Sequence, residues 1–267
     1  MKKLLQGRTA VRPCKRTHIY SMIRLFLPPE LLIPEQITIT GDQARYLSVV
    51  LRVKPGDHLI IFDGSGYKYD CTILKSHKKE VIAEKLKKGP YSVESPLSIT
   101  LAQGLPKSDK MDLIVQKATE LGVSRIIPLI TEHSQIRHSE KVERWRKIAL
   151  SASQQSGREK IPQIAEPVGY KEFLYPALEK GSEGKLNGLI FSEEHKERNL
   201  KKILTDIKDV NNITLLIGPE GGFAKEEVTA AVEKGFIEAS LGPRILRTET
   251  APIASMSIIQ YELGDMG

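Results

Sequence analysis

A glycine-rich stretch, LLIGPEGGFAKEEV (residues 215–228), is the first place where the sequence could hold a ligand. Gly218, Gly221 and Gly222 join an apolar strand pattern to a helical one, and glycine lets a backbone approach a ligand closely. A phosphate-binding loop is excluded, because residues 223–225, where it needs Gly, Lys and Ser or Thr, are Phe, Ala and Lys. Glu220 would also repel a polyphosphate. The stretch therefore favours an electropositive ligand, or one with ribose hydroxyls and an adenine edge; a tight turn with surplus glycines is the alternative.

A second stretch, SLGPRILRTETAPIAS (residues 240–255), contains more charge than a strand–helix connection needs. Ile245 and Leu246 could grip a flat ring, and a charged set, Arg244, Arg247 and Glu249, lies next to them in the sequence. Pro252 suits the first turn of the last helix, and Thr248 or Thr250 could cap that helix. The alternative is that Arg247 and Glu249 merely brace the loop.

The elements around these stretches predict an α/β domain. After Pro96, short apolar strands alternate with amphipathic helices, which indicates a mainly parallel sheet covered by helices on both faces. Gly122 and Gly157 are placed to end two of the helices, and Ser139 is a candidate N-cap. Ligands of such sheets gather at the carboxyl ends of the strands. We therefore expect a site formed by the loops 191–194, 218–223 and 242–251.

The N-terminal half has a different pattern. Residues 23–86 read as short strands with one helix, DQARYLSVVLR, and DGSG (residues 63–66) is typical of a hairpin turn. This pattern predicts a small β-barrel, followed by a linker over residues 87–96. Residues 1–21 carry six Lys or Arg and no acidic residue, and so contribute six of the seven net positive charges of the chain. We interpret them as a disordered basic extension, either a nucleic-acid arm or an upstream start without function.

Composition excludes several other classes. The chain has 267 residues and two cysteines, Cys14 and Cys71, with no histidine pair at metal-site spacing, so we predict no metal and no disulfide framework. His133 and His138 are interpreted as exposed loop residues. No apolar run reaches the roughly 20 residues of a membrane span, and the basic N-terminus lacks a secretory h-region. A cytoplasmic location, without membrane attachment, is expected.

Together the two stretches resemble the motifs of a known family. The matching segments are Leu216–Phe223 and Leu241–Ala251, with further similarity at Gln103, Lys107, Lys110, Lys117, Glu120–Gly122, Gln155–Arg158 and Pro162, and in YLSVVLRVKPGD. They are similar to the ribosomal RNA small subunit methyltransferase E family, which methylates N3 of a uridine in 16S rRNA and belongs to the SPOUT superfamily. The resemblance runs from Met22 to the end. Tyr46 and Gln154 depart from the histidine and glutamate common there.

The resemblance implies a fold, a cofactor and partners. The expected fold is a PUA-like β-barrel RNA-binding domain over residues 22–90 and a SPOUT methyltransferase domain with a trefoil knot over residues 96–267. S-adenosyl-L-methionine is the implied cofactor, and 16S rRNA in the small ribosomal subunit is the implied substrate. The implied assembly is a homodimer. Ribose 2′-O-methylation and a non-catalytic RNA-binding role in ribosome assembly are the alternatives.

The resemblance also implies roles for individual residues. Arg247 and Glu249 are the candidates for orienting and deprotonating the base. Cofactor contacts are expected from Phe191, Ser192, Leu216, Ile217, Gly218, Pro219, Glu220, Gly221, Gly222, Leu241, Gly242, Ile245, Leu246, Arg247, Thr250 and Ala251. Contacts with RNA are expected from Arg24, Arg45, Arg52, Lys107, Lys110, Lys117 and Arg158.

Overall fold

The computed structural model describes residues 23–89, 93–134, 141–174, 188–192, 199–207 and 210–267. The basic extension, Ser139 and His138 lie outside these residues.

The N-terminal half forms a five-stranded sheet with the strand order β1–β3–β4–β5–β2. Its strands are β1 (Ile23–Phe26), β2 (Gln36–Thr40), β3 (His58–Phe62), β4 (Lys68–His77) and β5 (Glu80–Gly89). Alternate residues of β4, including Tyr69, Cys71 and Ile73, point into a buried core. The predicted hairpin turn is confirmed, because the Asp63 Oδ1 atom accepts hydrogen bonds from the backbone N–H groups of Ser65 and Tyr67. The predicted helix is divided into α1 (Gly41–Arg45) and a π-helical turn (Tyr46–Val50).

The C-terminal half forms a parallel sheet with the order β12–β10–β11–β6–β7–β8, in which β9 also pairs with β7. Its strands are β6 (Ser98–Gly104), β7 (Val123–Ile130), β8 (Gln163–Ile164), β9 (Val168–Gly169), β10 (Gly188–Phe191), β11 (Asn212–Ile217) and β12 (Ile237–Ala239). Its helices are α2 (Lys110–Glu120), α3 (Val142–Ser156), α4 (Tyr170–Leu174), α5 (Leu200–Asp206), α6 (Lys225–Glu233) and α7 (Thr250–Leu263). The alternating parallel α/β fold predicted from the sequence is confirmed.

Both faces of this sheet are covered, also as predicted. Met111 of α2, Trp145 of α3 and Met256 of α7 belong to one buried cluster, whereas Tyr170 of α4 and Ala231 of α6 belong to the cluster on the other face. The predicted stops of α2 and α3 are confirmed, because Gly122 and Gly157 each have a φ of +84°, a conformation that glycine adopts without strain.

Two arginines hold the N-terminal sheet and the linker against the C-terminal half. Arg24 of β1 donates a 2.7 Å hydrogen bond to the Gly157 carbonyl and lies 3.5 Å from the Glu159 carboxylate. Arg158 is 5% exposed, and its Nε and Nη2 atoms donate hydrogen bonds to the Glu94 carboxylate. Its Nη1 atom donates to two backbone carbonyl groups, that of Thr119 in α2 and that of Val123 in β7. Both guanidinium groups thus have partners inside the protein, through Nη2 in the case of Arg24. This corrects the expectation that Arg24 and Arg158 contact RNA.

Candidate active site

The carboxyl ends of β10, β11 and β12 open into a cavity of about 540 Å³. Two connections form most of its wall: residues 218–223, here called the glycine loop, and residues 241–249, called the arginine loop. The lining residues are Lys110, Phe191, Ser192, Ile217, Gly218, Pro219, Glu220, Gly221, Gly222, Phe223, Lys225, Val228, Ser240, Leu241, Gly242, Pro243, Arg244, Ile245, Leu246, Arg247, Thr248 and Ala251. The structure therefore brings together the loops 218–223 and 242–251 with Phe191 and Ser192, whereas residues 193 and 194 of the third expected loop lie outside the described residues.

Two of the expected cofactor residues do not line this cavity. Leu216 is completely buried in β11, where it packs between the sheet and the helices of the second face. Thr250 is the first residue of α7 and is exposed. It is not the N-cap of that helix: Glu249 occupies that position, and Thr248 uses its hydroxyl group elsewhere. The prediction that either threonine caps α7 is wrong.

Glycines shape the glycine loop because neighbouring atoms leave no room for a side chain. A Cβ atom at Gly104, the last residue of β6, would lie 2.7 Å from the Pro219 nitrogen. A Cβ at Gly218 would lie 2.9 Å from the Gly222 carbonyl carbon, so the loop folds tightly on itself. These separations are shorter than van der Waals contact. The glycines in the sequence therefore mark close backbone approaches as well as a turn.

A buried amide ties the two loops together. Gln103 is completely buried, and its Nε2 atom lies 3.2 Å from both the Gly218 carbonyl oxygen and the Thr248 Oγ1 atom. The Thr248 hydroxyl group in turn donates a 2.7 Å hydrogen bond to the same Gly218 carbonyl. In the sequence, Gln103 stands out only as part of the family resemblance. Its role could not be read from spacing, because it depends on β6 lying beside β11.

A charged cluster lies where the start of α2 meets both loops. Lys110 Nζ donates a 2.8 Å hydrogen bond to Glu220 Oε1 and lies 3.5 Å from Glu249 Oε2. The Lys107 backbone N–H also donates to the Glu220 carboxylate. Arg247 Nη1 lies 4.0 Å from Glu249 Oε1, and the Arg247 side chain is 83% exposed. The pairing of Arg247 with Glu249, the bracing alternative, is thus present, but it leaves most of the guanidinium free for another partner.

The cluster changes the proton affinities of two groups. Burial raises the pKa of Glu220, but hydrogen bonds from Lys110 and from backbone N–H groups outweigh burial and hold that pKa below its ordinary value. The hydrogen bond to Glu220 is the largest effect on Lys110 and raises its pKa. Both groups are therefore charged around neutral pH, and Glu220 presents a carboxylate that is already paired.

A second polar pair involves Ser192, which follows β10 and lines the cavity. The Ser192 hydroxyl group donates to the carboxylate of Glu238, a residue of β12 that is 3% exposed. Ser192 was expected at the cofactor site, whereas Glu238 was missed. The parallel pairing of β10 with β12, which sets Ile190 beside Glu238, brings the two side chains together.

The remaining expected RNA residues lie on several surfaces. The side chains of Arg45, Arg52 and Lys107 are exposed. Lys117 forms hydrogen bonds of 2.9 Å with the carboxylate of Glu120, one turn further along α2. Lys110 belongs to the cluster at the cavity, so it does not share the surroundings of Lys117 although both are on one helix.

Comparison with known proteins agrees with this architecture. Residues 93–260 match the family described as RNA methyltransferase domain, and residues 39–86 match the RNA methyltransferase PUA domain. The ribosomal RNA small subunit methyltransferase E of Buchnera aphidicola from Schizaphis graminum is 34% identical over 251 residues, which cover 91% of this chain and 97% of that protein. The chain belongs to the ribosomal RNA small subunit methyltransferase E family.

Solved structures of the family have the same fold. The methyltransferase E of Neisseria gonorrhoeae, crystallised with S-adenosyl methionine, is 36% identical with a TM-score of 0.82, and the match covers 92% of this chain and all of that one. A putative methyltransferase of Legionella pneumophila, also solved with the cofactor, is 33% identical with a TM-score of 0.79 over 91% of this chain and 99% of that one. The N-terminal sheet of this family member is accordingly a PUA-like domain.

The described part of the chain shows neither a metal-binding cluster nor a membrane-spanning helix. Its histidine, cysteine and acidic residues include no group of three arranged to hold a metal ion. None of the described helices is both long and apolar enough to cross a bilayer. His133 is an exposed loop residue, as the sequence predicted, and its ring Nδ1 atom lies 3.3 Å from the Gly222 carbonyl oxygen.

Proposed function

We propose that this protein is a methyltransferase that uses S-adenosyl-L-methionine to methylate N3 of a uridine in 16S rRNA of the small ribosomal subunit. The observation that carries the proposal is the single cavity enclosed by the glycine and arginine loops, which come from separate parts of the chain. The names of its relatives, and the cofactor in two related crystal structures, support the same reaction.

The cavity fits the cofactor in size and in chemistry. A volume of about 540 Å³ lies within the range of small-molecule sites. Ile245 and Leu246 offer apolar surface for an adenine ring, and the tight glycine loop exposes backbone groups to a ligand. The described lining contains no phosphate-binding sequence, which suits a cofactor without phosphates. Bound there, S-adenosyl-L-methionine would supply an electrophilic methyl group on a positively charged sulfur.

Arg247 and Glu249 are proposed to act on the uracil base. N3 carries a proton and normally takes part in pairing, so the base must leave its stack and lose that proton before methylation. The exposed Arg247 guanidinium group would stabilise the negative charge that develops on uracil, or hold a phosphate. The Glu249 carboxylate would accept the N3 proton or fix the arginine. Alignment of N3 with the methyl group would supply much of the acceleration.

We propose that RNA reaches this site across the N-terminal domain. Arg45 and Arg52 flank the π-helical turn, and within the described residues neither forms an ion pair. Between them, Tyr46 is 48% exposed and Val50 is 63% exposed. An exposed aromatic ring between two arginines suits base stacking combined with phosphate contacts. Lys107 and Lys117 remain candidates for further phosphate contacts.

The finer structural expectations are also proposals. We propose domain boundaries at residues 22–90 and 96–267, a trefoil knot in the second domain, a homodimer and a cytoplasmic location. Exposed apolar side chains on α2 and α7, namely Leu113, Ile258 and Tyr261, offer a surface for a second copy of the chain. The hydrogen bonds that join Thr248, Gln103 and Gly218 suit a chain end packed against an earlier loop.

One experiment tests the reaction and the substrate together. The gene is deleted, and 16S rRNA nucleosides are analysed by mass spectrometry before and after complementation. Loss of one 3-methyluridine, restored by the wild-type gene and not by Arg247→Ala, is the expected result. Loss of a 2′-O-methylated nucleoside instead would assign the alternative chemistry, and an unchanged nucleoside profile would contradict the proposal.

A further inference from the structure

We infer that Lys110 is a positioning residue that fastens the glycine loop to the arginine loop through its ammonium group. The inference deepens the proposed function, because the two loops it joins are those proposed to hold the cofactor and the base. It also gives Lys110 a role different from the RNA contact expected from the sequence.

The contacts of Lys110 reach both loops at once. Its Nζ atom lies 2.8 Å from Glu220 Oε1 in the glycine loop and 3.5 Å from Glu249 Oε2 in the arginine loop. The Glu249 Oε2 atom is buried and has no hydrogen-bond partner among the described residues. A carboxylate oxygen in that position needs a compensating charge, and the ion pair with Lys110 supplies it.

The support behind Lys110 is rigid. Lys110 is the first residue of α2, and Met111, Ile114 and Val115 of the same helix are buried in the core. The Lys107 backbone N–H donates to the Glu220 carboxylate as well, so Glu220 is held by the first residue of α2 and by the segment just before it. Loops are positioned precisely when their side chains are anchored to such an element.

Charge argues against a primary role of Lys110 in RNA binding. Its one positive charge lies against two carboxylates, so the trio carries a net negative charge. A phosphate group approaching Lys110 would therefore meet repulsion from Glu220 and Glu249. The exposed guanidinium group of Arg247, on the other side of Glu249, is better placed to meet an anion.

The test compares Lys110→Met, Lys110→Arg and the control Lys141→Met. Lys141 also pairs with an acid at the start of α2, because its Nζ atom lies 2.9 Å from Asp109 Oδ1, but it does not line the cavity. Amide hydrogen exchange of residues 218–223 is measured on the unliganded proteins, and S-adenosyl-L-methionine affinity is measured by calorimetry. A double-mutant cycle compares the wild type, Lys110→Met, Glu220→Gln and the variant that combines both substitutions.

Lys110→Met is expected to speed hydrogen exchange of the glycine loop and to weaken cofactor binding about tenfold, the usual scale for one charged hydrogen bond. Lys110→Arg should restore most of both properties, because arginine can pair with two carboxylates. Lys141→Met should change neither. In the cycle, Glu220→Gln should speed hydrogen exchange of the glycine loop much less in the Lys110→Met background than in the wild-type background, because Lys110→Met has already broken the pair.

Two results would overturn the inference. One is unchanged hydrogen exchange and cofactor affinity in Lys110→Met; the other is weakened RNA binding alone, with the loops and the cofactor site intact. Failure of the wild-type protein to bind S-adenosyl-L-methionine would instead overturn the proposed function. The hydrogen-exchange comparison would still test the fastening of the loops in that case.

Discussion

The Thr248 hydroxyl group donates a 2.7 Å hydrogen bond to the Gly218 carbonyl oxygen, and the two residues are 30 positions apart in the chain. Gln103 Nε2 lies 3.2 Å from both groups. The walls of the cavity are therefore joined at their base by a shared, buried set of hydrogen bonds. The Gln103 Oε1 atom has no hydrogen-bond partner among the described residues, so the Nε2 atom and the Thr248 hydroxyl group supply the hydrogen bonds that join the walls.

Removal of the Thr248 hydroxyl group should loosen the cofactor site. In Thr248→Val the Gly218 carbonyl loses its shortest side-chain hydrogen bond, which costs about 1–1.5 kcal/mol and should weaken cofactor binding about tenfold in calorimetry. Thr248→Ser should retain wild-type affinity within about twofold. Thr205→Val removes a similar hydroxyl-to-carbonyl bond on α5, outside the cavity, and serves as the control. Equal affinities of Thr248→Val and wild type would show that the network does not support the site.

A methyl group at Gly104 should disturb the glycine loop, because it would point from β6 into Pro219 of that loop. The new Cβ atom would lie 2.7 Å from the Pro219 nitrogen, and a backbone atom cannot move aside as a flexible side chain can. We expect Gly104→Ala to cost about 2 kcal/mol of stability, since such overpacking typically costs 1–3 kcal/mol, and to weaken cofactor binding. Gly89→Ala, where a Cβ meets nothing within 4 Å, is the control and should stay within about 0.5 kcal/mol of wild type. Chemical denaturation and calorimetry measure the two effects; equal stability of both variants would contradict the packing argument.

Arg158 should matter for stability and not for RNA affinity. Arg158→Met leaves the nearly buried Glu94 carboxylate without its guanidinium partner, which should cost about 3 kcal/mol and lower the Tm by about 10 °C. Arg144→Met removes a pair with Asp112 in which the arginine is 58% exposed, and should change Tm by only 1–2 °C, which is about the effect of a surface ion pair. Calorimetric melting gives both values. A large loss of RNA affinity by folded Arg158→Met would restore the role expected from the sequence.

Tyr46 should contribute to RNA binding by stacking. Tyr46→Ala is expected to weaken binding of a 16S rRNA fragment about fivefold or more, since a stacked base contributes about 1–3 kcal/mol. Tyr67 is a matched control, because it is 45% exposed in the same domain but has the Lys88 ammonium group 4.6 Å from its ring centroid. Fluorescence anisotropy at two salt concentrations measures the affinities. Equal losses in Tyr46→Ala and Tyr67→Ala would argue against a specific stacking position.

Cys71 should make folding stability decrease at high pH. Burial, followed by the nearby Asp70 charge, raises the pKa of the Cys71 thiol from 9.0 to about 12. Above pH 9 the unfolded chain loses this proton while the folded protein keeps it, so the free energy of unfolding falls as pH rises from about 9 towards 12. Comparison of urea denaturation of wild type and Cys71→Ala between pH 8 and 10.5 isolates the effect. The wild-type stability should fall more steeply; parallel curves would contradict the assignment.

The sequence determined the order and type of the elements and located the site along the chain. Apolar periodicity and helix-stopping glycines predicted the alternating strands and helices, because these signals act over a few residues. The two glycine-containing stretches were recognisable for the same reason: close backbone approach requires glycine locally, and the lining of the cavity includes both.

Only the tertiary structure decided which charges are available. Arg24, Lys110 and Arg158 were expected from the sequence to contact RNA, but their partners, Glu159, Glu220 and Glu94, are 64 to 135 residues away. Whether a side chain faces RNA or closes an internal ion pair depends on these long-range contacts, which local spacing does not encode. For the same reason Gln103 and Glu238 gained their roles only when parallel strand pairing placed each beside a loop of the cavity.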